Sequence, residues 1–559
     1  MNELLTADCY PITVAPGLHR LFLDYCAGDP GARRFYASLP PDSGWEERPP
    51  APAHWPELMR LLGEQIPPSA VEGAQQWSPA AAALEALAKG AGVVVTGQQV
   101  GLFGGPLFTP FKAATAVARA RQATAAGHPH AAIFWLASED HDFAEINHLS
   151  FPAGRELRKL VYPLPAGAQE AARPVGGMVL DERITPLVDQ AWELLGPSDA
   201  MEALAAAYRP GNTFAQAFRE FYAKVFAAQG LLVLDAGGRE FHRMGAPVLR
   251  AALERADELH AALMERDREL EAAGYHAQVA VGGQSSLLFL LDERTSDERT
   301  GARLALKRVA PNTQDPAGLW QSGQQSFSTA DLVGILEAEP ERISPSALLR
   351  PVFQDFLLST SVTIGGPAEV AYYAQSAVLF KRILGRGTPI EPRFSATLVE
   401  PAIGELLRRH ELTIERVFQE SGPENAASLA QLLAARAMPI EGKRKLAAAG
   451  TALDAELKTL LEWMGSLDAG LGRSAETAAS KMRYQMNRLR KLAANFQLQR
   501  EASLGRHAEA ICQALYPGGV LQERLHGAAY YFARYGLELA EELSAQAVNA
   551  CPGHTVLWL

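Results

Sequence analysis

Glu139-Asp140-His141-Asp142, followed by Glu145 and His148, gathers ionisable side chains into one short stretch of the 559-residue chain. Carboxylates beside an imidazole can recognise an ammonium group, hold Mg²⁺ on phosphates or accept a proton from an attacking amine. Because imidazole titrates nearest neutral pH, His141 is the natural general base of the set. If a helix begins near His141, then His141, Glu145 and His148 share a face at i, i+4 and i+7. That spacing suits a metal-dependent amidase or hydrolase, although the His-Glu-x-x-His order is absent. The same run also reads as a solvated acidic helix start whose carboxylates complement the helix dipole.

About 40 residues earlier, Thr96-Gly97-Gln98-Gln99-Val100-Gly101-Leu102-Phe103-Gly104-Gly105-Pro106 carries the second chemical signal. Glycines let backbone approach a ligand closely, and the helix that follows offers unpaired N–H groups to an anion. Gln98 and Gln99 add amide groups, Thr109 is placed to cap the helix, and Lys112 lies about one turn in, where an ammonium could meet a phosphate. The loop is neither a Walker A motif nor a strict Gly-x-Gly-x-x-Gly fingerprint. It reads either as a phosphate or adenylate cradle formed by Gln98, Gln99, Gly101, Gly104, Gly105, Thr109 and Lys112, or as a tight strand-to-helix turn that needs glycine for packing. Gly365-Gly366-Pro367 repeats this grammar, with Glu369 in the first helical turn and Tyr372 one turn further. Gln278 and Arg393 are further candidates for substrate contact, Arg393 as an anion partner.

These residues need strands that end beside one another. Val93 to Val95, Ala131 to Ala137, Leu231 to Asp235, Ala277 to Val281 and Ser361 to Ile364 are buried-type runs, and a helix is predicted from Pro110 to Ala126. Strand, glycine loop, helix and strand make a βαβ unit, so the fold class is α/β with a doubly wound parallel sheet. Residues 28–58, rich in Pro and Gly, read as an irregular arm. Segments near 152–208 and 284–340 read as insertions, the second with a polar Glu293 to Arg303 turn and a hairpin.

After Glu400 the chain turns helical. Leu446, Leu453, Leu457, Leu460, Met464 and Leu467 keep a seven-residue apolar rhythm, and Ala475, Ala478, Met482, Met486, Leu489, Ala493 and Phe496 resume it past a Gly465 to Gly472 break. This predicts an antiparallel helical hairpin, either packed on a core or projecting as a coiled coil for self-association. Lys481, Arg483, Arg488, Arg490 and Lys491 read as its solvated face. The domain reading is a core over 1–400, a helical region over 401–515 and a segment over 516–559 that packs back on the core.

A net charge of −11 and a pI near 5.7 argue against a nucleic-acid partner. Cys9, Cys26, Cys512 and Cys551 are scattered without a CxxC pair, which suggests neither a disulfide framework nor a zinc ribbon. No run reaches the ~20 apolar residues that span a bilayer, so no membrane partner is expected and a cytoplasmic location fits.

Taken together, the loop from Thr96 to Thr109 with Lys112, the run from Phe134 to His148 and the segment from Gly365 to Tyr372 resemble the bacillithiol biosynthesis cysteine-adding enzyme family. Leu521-Gln522-Glu523-Arg524 is similar to that family too, and the resemblance spans essentially the whole chain. It implies a Rossmann-like core related to class I aminoacyl-tRNA synthetases, connecting insertions and a C-terminal coiled coil that makes a homodimer. The implied reaction is a ligase step joining L-cysteine to the amine of glucosaminyl malate.

Since amide formation from a free carboxylate is uphill, ATP activation through an adenylate is expected, with Mg²⁺ as its companion ion. In that scheme Glu139, Asp140, His141 and Asp142 are catalytic, and the glycine loop with Lys112 holds ATP. Gln278, Gly365, Gly366, Glu369, Tyr372 and Arg393 contact substrate, with Lys381 a second cationic candidate for malate. No resident metal is expected. The sequence lacks the His-x-Gly-His and Lys-Met-Ser-Lys signatures of the synthetases, which disfavours a tRNA ligase. The remaining alternatives are the metal-dependent amidase through His141, Glu145 and His148, and a non-catalytic nucleotide-binding scaffold built on the coiled coil.

Overall fold

Val93-Val94-Val95 is β-branched throughout, which favours extended backbone, and it is apolar on both faces, which suits a strand covered from both sides. It forms β1 (Gly92–Gln98). The helix α1 (Phe108–Ala125) and the strand β2 (His130–Leu136) complete the expected βαβ unit. Next come β3 (Leu232–Asp235), the helix α2 (Arg239–Glu254), β4 (Val362–Gly365), the helix α3 (Pro367–Leu384) with proline in its first turn, and β5 (Ile390–Pro392). This computed structural model describes residues 6–38, 49–67, 78–154, 156–164, 173–282, 286–292, 301–309, 318–420, 422–548 and 551–559.

The five strands are parallel in the order β5-β4-β1-β2-β3. The chain builds outward from β1 to β3, then restarts on the other side of β1 with β4. The carboxyl ends of β1 and β4 are therefore where this doubly wound sheet reverses direction, the place at which such sheets commonly form a ligand crevice. Helices cover both faces, as the Rossmann-like reading requires. Val93, Val95, Ile133 and Trp135 join Phe241, Met244 and Val248 of α2 in one core. On the opposite face Phe134 lies 5.9 Å from Phe218 and 5.5 Å from Tyr222, ring centre to ring centre. Burying each such side chain contributes about 1.5–3 kcal/mol.

Two expectations change. Ala277 to Val281 is not a strand: the segment is irregular, and Val279 is held by the buried Gln375 of α3, whose amide accepts from Val279 N at 3.0 Å and donates to Val279 O at 2.8 Å. A side-chain amide here replaces a sheet ladder, which the apolar alternation did not reveal. In the second insertion, strands Lys307–Val309, Leu319–Ser322 and Gln325–Phe327 pair antiparallel, while the Glu293 to Arg303 turn lies outside the described residues over 293–300. The arm at 28–58 falls outside them over 39–48, and the first insertion over 165–172. Finally, Cys9 and Cys551, separated by 542 residues, are joined by a disulfide with their Cα atoms 5.5 Å apart. Spacing along the chain gave no sign of that pair.

The chain divides into two compact units: Met1–Phe151 with Arg158–Ala396 and Glu523–Leu557, and Pro152–Leu157 with Thr397–Gln522 and Trp558–Leu559. The first holds the sheet, and its returning C-terminal stretch lays Ala528 N on Gly105 O and His526 O on Leu107 N. In the second, helices Ile440–Leu467 and Ala469–Arg500 form an antiparallel pair, joined at Asp468, whose side chain caps Leu471 N at 2.9 Å. The seam between them is narrower than the expected heptad. Gly450, Leu457, Ala475, Ala479, Met486 and Ala494 are buried, whereas Leu460, Leu467, Met482, Leu489 and Phe496 are exposed. Among the described residues no helix is long and apolar enough to cross a membrane.

Candidate functional site

The glycine loop at the end of β1 is closed by its own neighbours. Gly101 to Gly105 are buried, and Phe103, Gly104 and Gly105 all have positive φ. A Cβ at Gly104 would stand 2.6 Å from Phe221 Cε1, so only glycine fits there. Gly104 N donates to Tyr208 Oη at 2.9 Å, and Tyr208 and Tyr222 donate to Gly101 O and Gly104 O at 2.6 and 2.8 Å. Thr109 has no exposed surface. The backbone groups expected to cradle phosphate are thus engaged or covered, and the expectation for Gly101, Gly104, Gly105 and Thr109 is corrected: they pack a turn.

Lys112 is likewise engaged. Its side chain is 2% exposed, and its ammonium donates to Gly97 O at 2.9 Å and Gln98 Oε1 at 2.8 Å and pairs with Glu369. Burial alone would raise the Glu369 carboxyl; Lys112 beside it holds it below the ordinary range. Gly365 and Gly366 permit this closeness, since a Cβ at Gly366 would lie 2.8 Å from Glu369 Oε2 and 3.4 Å from Arg393 Nε. Arg393 in turn donates two bonds to Glu523, at 3.0 and 2.6 Å, with both side chains under 5% exposed. Glu523 is therefore held ionised against the cost of burial. Arg393 is thus buried and paired with Glu523 rather than standing open to malate, which corrects that expectation.

The second strand end opens outward. Ser138 Oγ donates to Asp235 Oδ1 at 2.5 Å, tying the end of β2 to the end of β3. Beyond it Glu139 turns inward to His242 of α2, whose Nε2 lies 2.9 Å from Glu139 Oε1 as a close ion pair without an in-line hydrogen bond. Burial opposes charge on both, yet each partner holds the other ionised: Glu139 is shifted down and His242 up. Asp140 accepts from both Arg350 terminal nitrogens and, at 3.1 Å, from Gln99 Nε2, with Arg303 3.8 Å away. Burial pushes its carboxyl up, but Arg350 wins and keeps it below the usual range. Glu139 and Asp140 therefore organise the site, Asp140 from within the cavity wall and already paired with Arg350.

His141, Asp142 and Glu145 face a cavity of about 780 Å³, together with Gln99, Asp140, Arg303 and Arg350. Its far wall is built from the helix Ala256–Ala272 through Asp257, His260 and Leu263, from Val279 to Gly282, and from strand residues Phe289, Ala305 and Lys307. Arg303, Ala305 and Lys307 alternate along one face, which sets a cationic stripe into the wall. Arg303 stacks 3.8 Å over the Phe289 ring. Burial first, and then Arg303, lowers the His141 imidazole below its ordinary value, so it is neutral at pH 7. Burial raises the Glu145 carboxyl, with Asp142 adding to the rise.

The metal face does not form. The helix is only Phe143–Ile146, and His148 starts a strand, its Nδ1 3.2 Å from Asn147 Oδ1. Among the described residues no group of three His, Cys, Asp or Glu could hold a metal ion. Tyr372 is partly buried, with its phenol raised by burial and sensing both Glu369 and Arg350. It packs against Tyr373, ring centres 5.8 Å apart, and is not part of the cavity lining. Gln278 lies just outside the cavity wall that begins at Val279. Arg303, which the sequence places only at the end of a turn and which starts a strand, together with Arg350, His242 and Gln375, holds the site, although none of the four stands out in the sequence as a site residue. Each stands alone in its own segment, so only a folded neighbour reveals it.

The family model described as "Bacillithiol biosynthesis BshC, N-terminal Rossmann-like domain" matches residues 5–394, and "Bacillithiol biosynthesis BshC, C-terminal coiled-coil domain" matches 396–559. A relative from Koribacter versatilis named "Putative cysteine ligase BshC" is 40% identical over 562 residues, covering 98% of this chain and 99% of its own. Relatives of the same name from Solibacter usitatus and Salinibacter ruber are 32% and 29% identical, covering 86% and 96% of this chain and 87% and 96% of theirs.

Proposed function

This chain belongs to the bacillithiol biosynthesis BshC family, and from that premise we propose that it is a ligase joining L-cysteine, through its carboxyl, to the amine of glucosaminyl malate. The observation that carries the reading is the cavity beside the β2 end. There Asp140 and Glu139 are neutralised by fixed cations, while Asp142, Glu145 and a neutral imidazole face open space.

ATP is the proposed source of activation. The cysteine carboxylate attacks the α-phosphorus and releases pyrophosphate; the sugar amine then attacks the acyl carbon, AMP leaves with the bonding pair, and Glu145 accepts the proton shed by nitrogen. A carboxylate whose affinity for protons is raised by burial is better matched to that task than an exposed one. The expected phosphate loop is packed shut, so the cations that suit an anionic substrate or co-substrate are those of the cavity wall, Lys307 above all. Mg²⁺ would accompany the triphosphate.

Self-association is proposed through the second unit, where a groove of about 480 Å³ is lined mostly by apolar side chains, Leu453, Met482, Met486 and Leu489 among them, with Lys481 and Gln485 at its side. Exposed apolar rows of this kind are covered in stable coiled-coil assemblies.

Mass spectrometry of the purified chain with L-cysteine and glucosaminyl malate, with and without ATP, tests the reading. It predicts a product equal in mass to both substrates less one water, formed only with ATP and accompanied by AMP. ATP-independent hydrolysis of a thiol conjugate, or ATP binding without turnover, would contradict it.

A further inference from the structure

The hydrogen bond between Arg303 and His141 has only one possible direction. A guanidinium carries donors and no acceptor, and although burial pushes Arg303 down to about 10 it remains a cation at neutral pH. Its Nη1 lies 3.3 Å from His141 Nδ1, so the Nδ1 lone pair accepts. A neutral ring has one proton, which must then sit on Nε2. Arg303 cannot rotate to relieve this arrangement. Nε donates to Ser344 Oγ and Nη2 to Pro345 O, both at 2.8 Å, and the Phe289 ring supports its flat face.

On the far side of the imidazole, Nε2 has no protein partner among the described residues, and the half-buried ring lines the cavity. The charged groups acting on it are Asp140 and Asp142, which favour its cation, and Arg303 and Arg350, which disfavour it. An Nε2 that already carries hydrogen cannot accept a proton, so the general-base role that the sequence suggests for His141 conflicts with the geometry.

We propose that His141 is a neutral hydrogen-bond donor whose Nε2–H engages the oxygen of the substrate carboxyl group, with Arg303 as the positioning residue that fixes the tautomer. This rests on the ligase reading above. When the amine attacks the activated carboxyl, negative charge collects on the acyl oxygen, the C–N bond forms, and the electron pair of the breaking C–O bond leaves with the phosphate. His141 stabilises that oxygen without gaining or losing a proton, as a donor aimed at developing charge.

Two readouts test it. In the ligation assay His141→Ala is expected to lose about 100-fold in kcat/KM, the usual effect of removing one such donor. His141→Gln places an amide N–H₂ where Nε2 stood and is expected to stay within about tenfold of wild type; a Gln variant as inactive as the Ala variant overturns the proposal. The second readout needs no turnover. In the free enzyme labelled with ¹⁵N-histidine, the His141 ring is expected to show the Nε2–H tautomer at pH 7.5, and Arg303→Met to lose that preference. An Nδ1–H tautomer or an imidazolium in wild type overturns the proposal. If wild type forms no ligated product, the ligase reading fails, and the tautomer measurement still decides the direction of the bond.

Discussion

The two strand ends of the sheet use similar residues for opposite purposes. At β1 and β4, lysine, arginine and glutamates are paired with one another, and glycines allow them to close up: Lys112 with Glu369, Arg393 with Glu523, and Gly104 beneath two tyrosines. At β2, charges are also paired, Glu139 with His242 and Asp140 with Arg350, but His141, Asp142 and Glu145 face the cavity beside them. A buried ion pair holds a fold in place. Chemistry needs groups the fold has positioned and left unengaged.

If that contrast is right, substitutions at the closed end should cost stability and those at the open end should cost turnover. The largest effect is expected from Arg393→Met, which strands the buried Glu523 carboxylate and should destabilise the chain by about 3–5 kcal/mol in denaturant unfolding. Near-wild-type stability would break the comparison. Next, Glu145→Gln should lower kcat/KM about 100-fold in the ligation assay while leaving the unfolding midpoint within error of wild type. A parallel loss of stability would place Glu145 among the structural charges.

Gly104→Ala should cost about 1–3 kcal/mol, because its positive φ and the 2.6 Å approach of Phe221 both exclude a Cβ. An unchanged melting temperature would show the loop to be looser than described.

The smallest effect to resolve is a separation in pH. Glu145, raised by burial, protonates as pH falls through a value above the ordinary 4.5, and activity should fall with it. Glu139 and Glu523 have lowered values, so the stability they contribute is present above about 4.5 and is lost only as pH falls through those lower values. Activity should therefore disappear on acidification while circular dichroism still reports a folded chain, and Glu145→Gln should lack the upper acid limb. Coincident loss of both would erase the distinction.

Much of this was legible in the chain. The valine run, the glycine loop and the acid-histidine run each announce a strand end, because β-branched residues and glycine restrict backbone choices locally. The closing of the glycine loop was not legible, since Tyr208, Tyr222 and Ala528 that seal it are more than 100 residues away. Nor was the tautomer of His141, set by an arginine 162 positions distant. Local patterns fix where reactive residues gather. Which of them stay available depends on partners that only tertiary contact supplies.

The most direct measurement is a crystal structure of the chain with a non-hydrolysable cysteinyl-adenylate analogue. The account predicts density in the cavity, with the acyl oxygen within hydrogen-bond reach of His141 Nε2 and the glycine loop and Lys112–Glu369 pair unmoved. Density seated on Gly101 to Gly105, with Lys112 released from Glu369 to meet the phosphate, would contradict it.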